Sequence, residues 1–112
     1  DKPWGHEEVW ALTDNYAGKI LYIKEGERLS LQYHKKKQET IYVLEGTLEL
    51  ILDEQSRKHN RVLLLLPGEY YHIEPFTIHR FCASQGTDVK LMEVSTTELN
   101  DIVRIEDDYS RK

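Results

Sequence analysis

The chain has 112 residues, with 15 Lys and Arg against 20 Asp and Glu, for a formal net charge of −5. That length suits one domain, residues 1–112, because a single core commonly uses about 100 to 150 residues. The acidic balance argues against a nucleic-acid surface, which needs a concentrated positive face. No apolar stretch approaches the ~20 residues that span a bilayer, and no charged-then-apolar leader opens the sequence, so no membrane partner is expected.

Residues 1–15 read as an arm carrying Pro3-Trp4-Gly5-His6, followed by a first strand over Val9-Trp10-Ala11-Leu12. Trp4 and Trp10 are expected to cover the open end of a barrel, since buried aromatics usually serve packing. Asn15-Tyr16-Ala17-Gly18 is a turn, residues 19–24 a strand, and Glu25-Gly26-Glu27 a second turn. Alternating runs at 29–34 and 39–44 then flank the basic turn Lys35-Lys36-Lys37-Gln38. Residues 47–53 and 62–66 bracket a polar hairpin loop, 54–61.

Pro67-Gly68-Glu69 turns the chain into a strand at 70–73, and residues 78–82 follow Glu74-Pro75-Phe76-Thr77. Ser84-Gln85-Gly86-Thr87 reads as a hairpin turn into 88–94. Only 96–100 hints at a helix, and the tail 101–112 mixes charge with Ile102, Val103, Ile105 and Tyr109. Short strands at close spacing, with no internal repeat, predict an all-β fold, a small antiparallel β-barrel or jelly roll.

Side chains two apart on a strand share a face, so Gln32 and His34 point the same way. If the second run pairs with the first across the basic turn, Glu39 meets them at the mouth of a curved sheet. An amide, an imidazole and a carboxylate about one point make a divalent-metal shell that needs another nitrogen, and His79 could supply it. A cation would compensate the buried polarity of Gln32, His34, Glu39 and His79. The bland alternative is a metal-free pocket whose polar groups satisfy one another. A nitrogen and oxygen shell without thiolate leaves Zn, Mn, Fe, Co and Ni open.

His6, His59 and His72 are expected on the surface. The single cysteine, Cys82, excludes an intramolecular disulfide, reads as a small buried apolar residue and fits a reducing compartment, so a cytoplasmic location is expected. Arg28, Lys19, Arg80 and Arg104 could contact phosphate, and each has an ordinary solvated charge as its bland reading. Alternation puts Arg28 on the metal-facing side and turns Arg80 outward.

Gly26, Gln32, His34, Glu39 and Gly46 carry the spacing of the first cupin motif, with Gln32 in place of its first His. Gly68 and His79 carry that of the second, where Glu74 replaces a Pro and Phe76 a Gly. The chain thus resembles the cupin superfamily. Within it, Pro3-Trp4-Gly5, the run from Arg28 through Gln32-Tyr33-His34, and the tail from Asp101 to Arg111 resemble the C-terminal cupin domain of type II phosphomannose isomerases over almost the whole chain.

That resemblance implies a metal-dependent isomerase interconverting mannose 6-phosphate and fructose 6-phosphate through a cis-enediolate, with zinc the favoured metal. It implies an arm near the substrate pocket and a tail folded back on its own or a partner's barrel. Gln32, His34, Glu39 and His79 would be the ligands, Arg28, Lys37 and Arg104 the substrate contacts, and Arg28, Glu93 and Lys19 the catalytic candidates. Glu93, Lys19 and Tyr22 are the candidates for the base, because their strands could line the barrel. Lys37 stands where the family has an arginine, which removes a bidentate phosphate clamp. No glycine-rich nucleotidyltransferase loop is present, so guanylyltransferase activity is not expected. The alternatives are a non-catalytic cupin binding a sugar or sugar nucleotide, and a metal-dependent oxygenase. Small barrels expose strand edges and such cupins commonly pair, so a homodimer is expected.

Overall fold

A computed structural model describes residues 1–54, 59–98 and 100–109. Its strands are β1 (Gly5–Leu12), β2 (Ala17–Ile23), β3 (Leu31–Tyr33), β4 (Glu39–Glu45), β5 (Leu48–Glu54), β6 (His59–Leu65), β7 (Tyr70–Ile73), β8 (His79–Cys82), β9 (Val89–Ser95) and β10 (Val103–Glu106). They form two five-stranded antiparallel sheets, ordered β1-β2-β9-β4-β7 and β10-β3-β8-β5-β6. This is the expected all-β jelly roll. No helix occurs among the described residues; residues 96–98, within the stretch that hinted at one, are irregular, and Leu99 lies outside the described set.

Period-two alternation builds the core. In β9 the even members of Val89, Lys90, Leu91, Met92, Glu93, Val94 and Ser95 turn outward, while Val89, Leu91, Glu93 and Ser95 are buried. Leu21, Leu91 and Val43 lie in register across β2, β9 and β4, and the second sheet answers with Leu48, Leu50, Leu52 and Phe81. Fully burying such a side chain contributes roughly 1.5–3 kcal/mol. One layer nearer the other end, the same inward positions become Lys19 beside Glu93 on one sheet and Gln32 beside His79 on the other. The apolar layers thus set the sandwich, and its polar end becomes the site.

Several pairings depart from the sequence expectation. β3 and β4 do not pair across the basic turn. β3 joins β10 and β8, whereas β4 joins β9 and β7 in the opposite sheet. Residues 35–38 therefore cross the sandwich, and Glu39 approaches His34 from the facing sheet. Likewise 83–88 passes between sheets instead of closing a hairpin. The β5–β6 hairpin forms as expected, with Leu48 opposite Leu65, although residues 55–58 of its loop lie outside the described set. β1 begins at Gly5, well before the expected first strand.

Trp4 is buried in the core, but Trp10 is half exposed and lies over Gly18 instead of covering an open end. Two glycines are required by close approach. A Cβ on Gly5 (φ 154°) would fall 1.8 Å from the Tyr22 carbonyl oxygen, and one on Gly46 (φ 77°) 2.1 Å from that of Asp88. The tail folds onto its own chain: Val103 and Arg104 pair with Tyr33 and Gln32, while 110–112 lie outside the described residues.

Candidate metal centre and cavity

His34, Glu39 and His79 converge from β8 and from the two ends of the 35–38 crossover, each buried, with one ligand atom apiece within 4.8 Å of one another. Glu39 Oε1 lies 3.5 Å from His34 Nε2 and 3.2 Å from His79 Nε2. Both rings are oriented from behind. His34 Nδ1 donates to the Asp101 carbonyl at 2.6 Å and His79 Nδ1 to the Thr77 carbonyl at 2.8 Å. A carbonyl only accepts, so each ring carries a proton on Nδ1, and in the neutral form each presents a bare Nε2 to the carboxylate.

Three lone-pair-bearing groups facing one another in a dry interior repel unless a positive species lies between them. Neither Nε2 nor either Glu39 oxygen has a hydrogen-bond partner. Backbone carbonyls fixing the rings from behind are the usual support of a metal-bound histidine. The donor set fits a divalent ion: these three residues could hold one, and the donors do not choose among first-row metals.

Gln32 sits directly opposite His79 on the neighbouring strand, buried, and lines a cavity that His34 also lines. Its Oε1 accepts from Ser30 Oγ at 2.6 Å, which occupies one of the two lone pairs an amide oxygen offers. The cavity, of about 480 Å³, is lined on its apolar side by Trp4, Leu21, Leu29 and Phe81, and on its polar side by Lys2, Glu7, Lys19, Lys37, Glu93 and Arg104.

Lys37 is buried, with Nζ 3.3 Å from Glu93 Oε2 and 3.4 Å from Glu39 Oε2. Burial opposes its charge, but Glu93 and Glu39 outweigh that and raise its pKa. Burial alone would also raise Glu39, yet the polar neighbours that favour its charged form, the Lys37 ammonium among them, hold it well below the usual carboxylate range. Glu93 goes the other way: burial first, then the neighbouring Glu39, push it up to about 8 against the pull of Lys37. One ammonium between two carboxylates thus leaves Glu93 the proton-carrying member. Lys19 lies next to Glu93 in register, with Nζ 3.4 Å from Glu7.

The structure does not bring Arg28 to this cavity. The chain between Arg28 and Leu31 leaves regular strand geometry, so alternation from Gln32 does not carry back. Leu29 takes the cavity side, and Arg28 binds Asp108 at 2.7 and 3.0 Å. Arg80 turns away from the cavity as alternation requires, but it is not a solvated charge. It is buried, donating to the Leu29 carbonyl at 2.9 Å and, more weakly, to Glu106. His6 and His72 are exposed and Cys82 is buried, as expected, while the His59 side chain lies outside the described set.

Phe76 and Asp101 were not singled out from sequence as parts of the site. Phe76 has φ 66°, the left-handed conformation suited to the Gly it replaces, and its N–H donates to the His34 carbonyl at 2.6 Å. The substituted second motif therefore keeps its turn. The Asp101 carboxylate accepts the main-chain N–H groups of Lys35, Lys36 and Lys37, and those of Lys36 and Lys37 above all hold its pKa down to about 2.

Two kinds of comparison bear on this site. The chain is 27% identical to the alginate biosynthesis protein AlgA of Pseudomonas aeruginosa over 98% of its length, and 32% identical to the mannose-1-phosphate guanylyltransferase RfbM of Salmonella typhimurium over 94%. It spans only 22% of the first relative and 21% of the second. Its fold matches the capsular polysaccharide assembling protein CapF of Staphylococcus aureus with a TM-score of 0.83 at 16% identity, covering 95% of this chain and 33% of that one. The Mannose-6-phosphate isomerase C-terminal family matches residues 1–107, so the chain belongs to that family of cupin domains.

Proposed function

We propose that residues 1–112 form a single cupin unit that acts as a metal-dependent aldose–ketose isomerase, interconverting mannose 6-phosphate and fructose 6-phosphate. The observation that carries this reading is the convergence of His34 Nε2, His79 Nε2 and the Glu39 carboxylate beside a cavity that His34 lines and that also holds a second buried carboxyl, Glu93. The ligand set is His34, Glu39 and His79 with Gln32 as fourth member, and zinc is the proposed ion. Bound there, the metal would act as a Lewis acid on the sugar's carbonyl and hydroxyl oxygens.

The chain's own groups do the rest. Glu93 in its ionised form takes the proton from C2 and returns it to C1 while the O2 proton passes to O1, so aldose and ketose exchange with no redox partner. Lys37 holds the Glu93 and Glu39 carboxylates in place and is thereby drawn away from phosphate. Lys19 and Arg104 are the cavity cations assigned to the phosphate, and the Trp4 arm excludes water. Arg28 has no part in this scheme.

The half-exposed Trp10, Tyr42 and Val94 and the exposed Tyr70 turn outward from the first sheet. They support a homodimer through that face, which light scattering of the purified protein tests. A cytoplasmic location accords with one buried, unpaired cysteine. Metal analysis together with a coupled assay on mannose 6-phosphate tests the main proposal. Turnover that disappears on chelation, returns with zinc and is lost in H34A supports it. Stoichiometric metal with sugar-phosphate binding but no turnover would move the assignment to a non-catalytic binding domain.

A further inference from the structure

Asp101 does not line the cavity, yet its contacts run to both halves of the metal centre. Its main-chain oxygen accepts from His34 Nδ1 at 2.6 Å and so sets the ring that presents Nε2. Its side chain accepts from the N–H groups of Lys35 at 3.1 Å, Lys36 at 2.6 Å and Lys37 at 3.0 Å. Those three residues belong to the four-residue crossover that separates His34 from Glu39 and carries the ammonium between Glu39 and Glu93. Besides that clamp, the crossover backbone is tied to a remote part of the chain at Gln38, whose N–H donates to Thr96 Oγ1 and whose carbonyl accepts from the Thr96 N–H, each at 3.1 Å.

Asp101 also heads the C-terminal segment. Two residues on, β10 begins and pairs with β3, placing Arg104 opposite Gln32. The segment is pinned further along by Arg80 to Glu106, Arg28 to Asp108, and the Tyr109 hydroxyl donating to Glu27 at 2.6 Å. One residue therefore joins a docked segment to the orientation of a ligand and to the turn between two ligands.

We propose that Asp101 is a positioning residue that couples docking of the C-terminal segment to metal occupancy; this rests on the metal reading above. A docked segment holds His34 and the crossover in the ligating arrangement. By linkage, a bound ion then holds the segment down to the same extent.

The test measures zinc affinity by competition with a chromophoric chelator in the unmodified chain, D101A, D101N and V43A, and amide hydrogen exchange across 103–106 with and without zinc. D101A keeps the main-chain carbonyl behind His34 and removes the carboxylate that holds Lys35, Lys36 and Lys37. It is expected to bind zinc about tenfold more weakly, the lower end of the range for losing an outer support of a metal site, with D101N between it and the unmodified chain. V43A shortens a buried side chain of the apolar core that is no part of the metal centre or of its supports. It should lower the melting temperature while leaving zinc affinity within about twofold. Zinc should slow exchange across 103–106 in the unmodified chain and not in D101A. Equal zinc affinity in D101A, or exchange across 103–106 indifferent to zinc, overturns the coupling. An unmodified chain that binds no zinc, cobalt or manganese overturns the metal reading and the coupling with it. The exchange comparison on the unmodified chain stands even if D101A fails to fold.

Discussion

Lys37 Nζ lies 3.3 Å from Glu93 Oε2, inside the cavity and beside the carboxylate of Glu39. Both partners are buried, so the pair is held by its neighbours and not screened by water. This contact gives Glu93 a setting that no strand pattern reveals, and the first predictions concern it.

Glu93 is raised to about 8, by burial first and Glu39 second, from an ordinary value near ~4.3. A carboxyl raised on folding contributes stability that is present in full below the unfolded value and is lost as pH rises through the folded one. The metal-free protein should therefore lose stability between about pH 4.5 and 8, and E93Q should flatten that slope. Urea denaturation of chelator-treated protein across this range decides the matter. An identical slope in E93Q would refute it. With metal restored, E93Q should reduce turnover by about two orders of magnitude or more, as for loss of a general base.

Replacing Lys37 by Met leaves two buried carboxylates facing each other. Above about pH 8, where Glu93 is ionised, breaking the buried pair from one side costs about 3–5 kcal/mol and K37M should lose stability on that scale. Below it, where Glu93 carries a proton, the loss should shrink. The double variant K37M/E93Q should recover part of the loss, because the repulsion disappears with the second charge. Simple additivity of the two single changes in denaturant midpoints would speak against the contact.

Arg28 is paired with Asp108 outside the cavity, both side chains being about two-fifths exposed at 41% and 42%. R28A should leave kcat and KM for mannose 6-phosphate within about twofold, and lower stability by up to ~1 kcal/mol as for exposed pairs. The Asp108 carboxyl is held below its ordinary value by the Arg28 hydrogen bonds, so this contribution is present above pH ~4 and lost as pH falls through the folded value. Loss of activity in R28A without loss of stability would return Arg28 to the site.

Phe76 sits at φ 66°, and left-handed backbone costs roughly 1–2 kcal/mol in a residue with a Cβ. F76G should be tolerated, trading the ring stacked 6.0 Å from Tyr33 for relief of that cost, with zinc retained. F76V should lose about 1 kcal/mol or more, since β-branched residues tolerate this region worst. Thermal melts of the two variants side by side make the comparison, and equal melting temperatures would argue against a left-handed Phe76.

Cys82 is buried, and burial above all pushes its thiol up to about 11. At pH 8 only about one thiol in a thousand is ionised, so the folded protein should resist iodoacetamide and react only on unfolding. Mass spectrometry of the labelled protein before and after denaturant reads this directly, and fast labelling of the native chain would contradict it.

Much of this was legible in the chain itself. Alternation located the strands, as in β7, whose bounds were read as they stand, and motif spacing chose His34, Glu39 and His79 from among all the polar residues. Both are local properties: a period of two and a count between residues survive without knowing what a strand packs against. The substitution of Phe76 for Gly was visible too, but whether the turn survived was not, because a backbone angle depends on the contacts that hold it.

The sequence by itself determined the class of fold and the donors that could grip a metal. Only the tertiary structure decided that β3 and β4 lie in opposite sheets, that Arg28 faces away, and that Asp101 stands behind His34 across a separation of 67 residues. Strand partners are chosen by which apolar faces close over a common core, and those faces come from distant parts of the chain. A side chain's neighbours across the sandwich are therefore a consequence of the whole packing, which no local pattern contains.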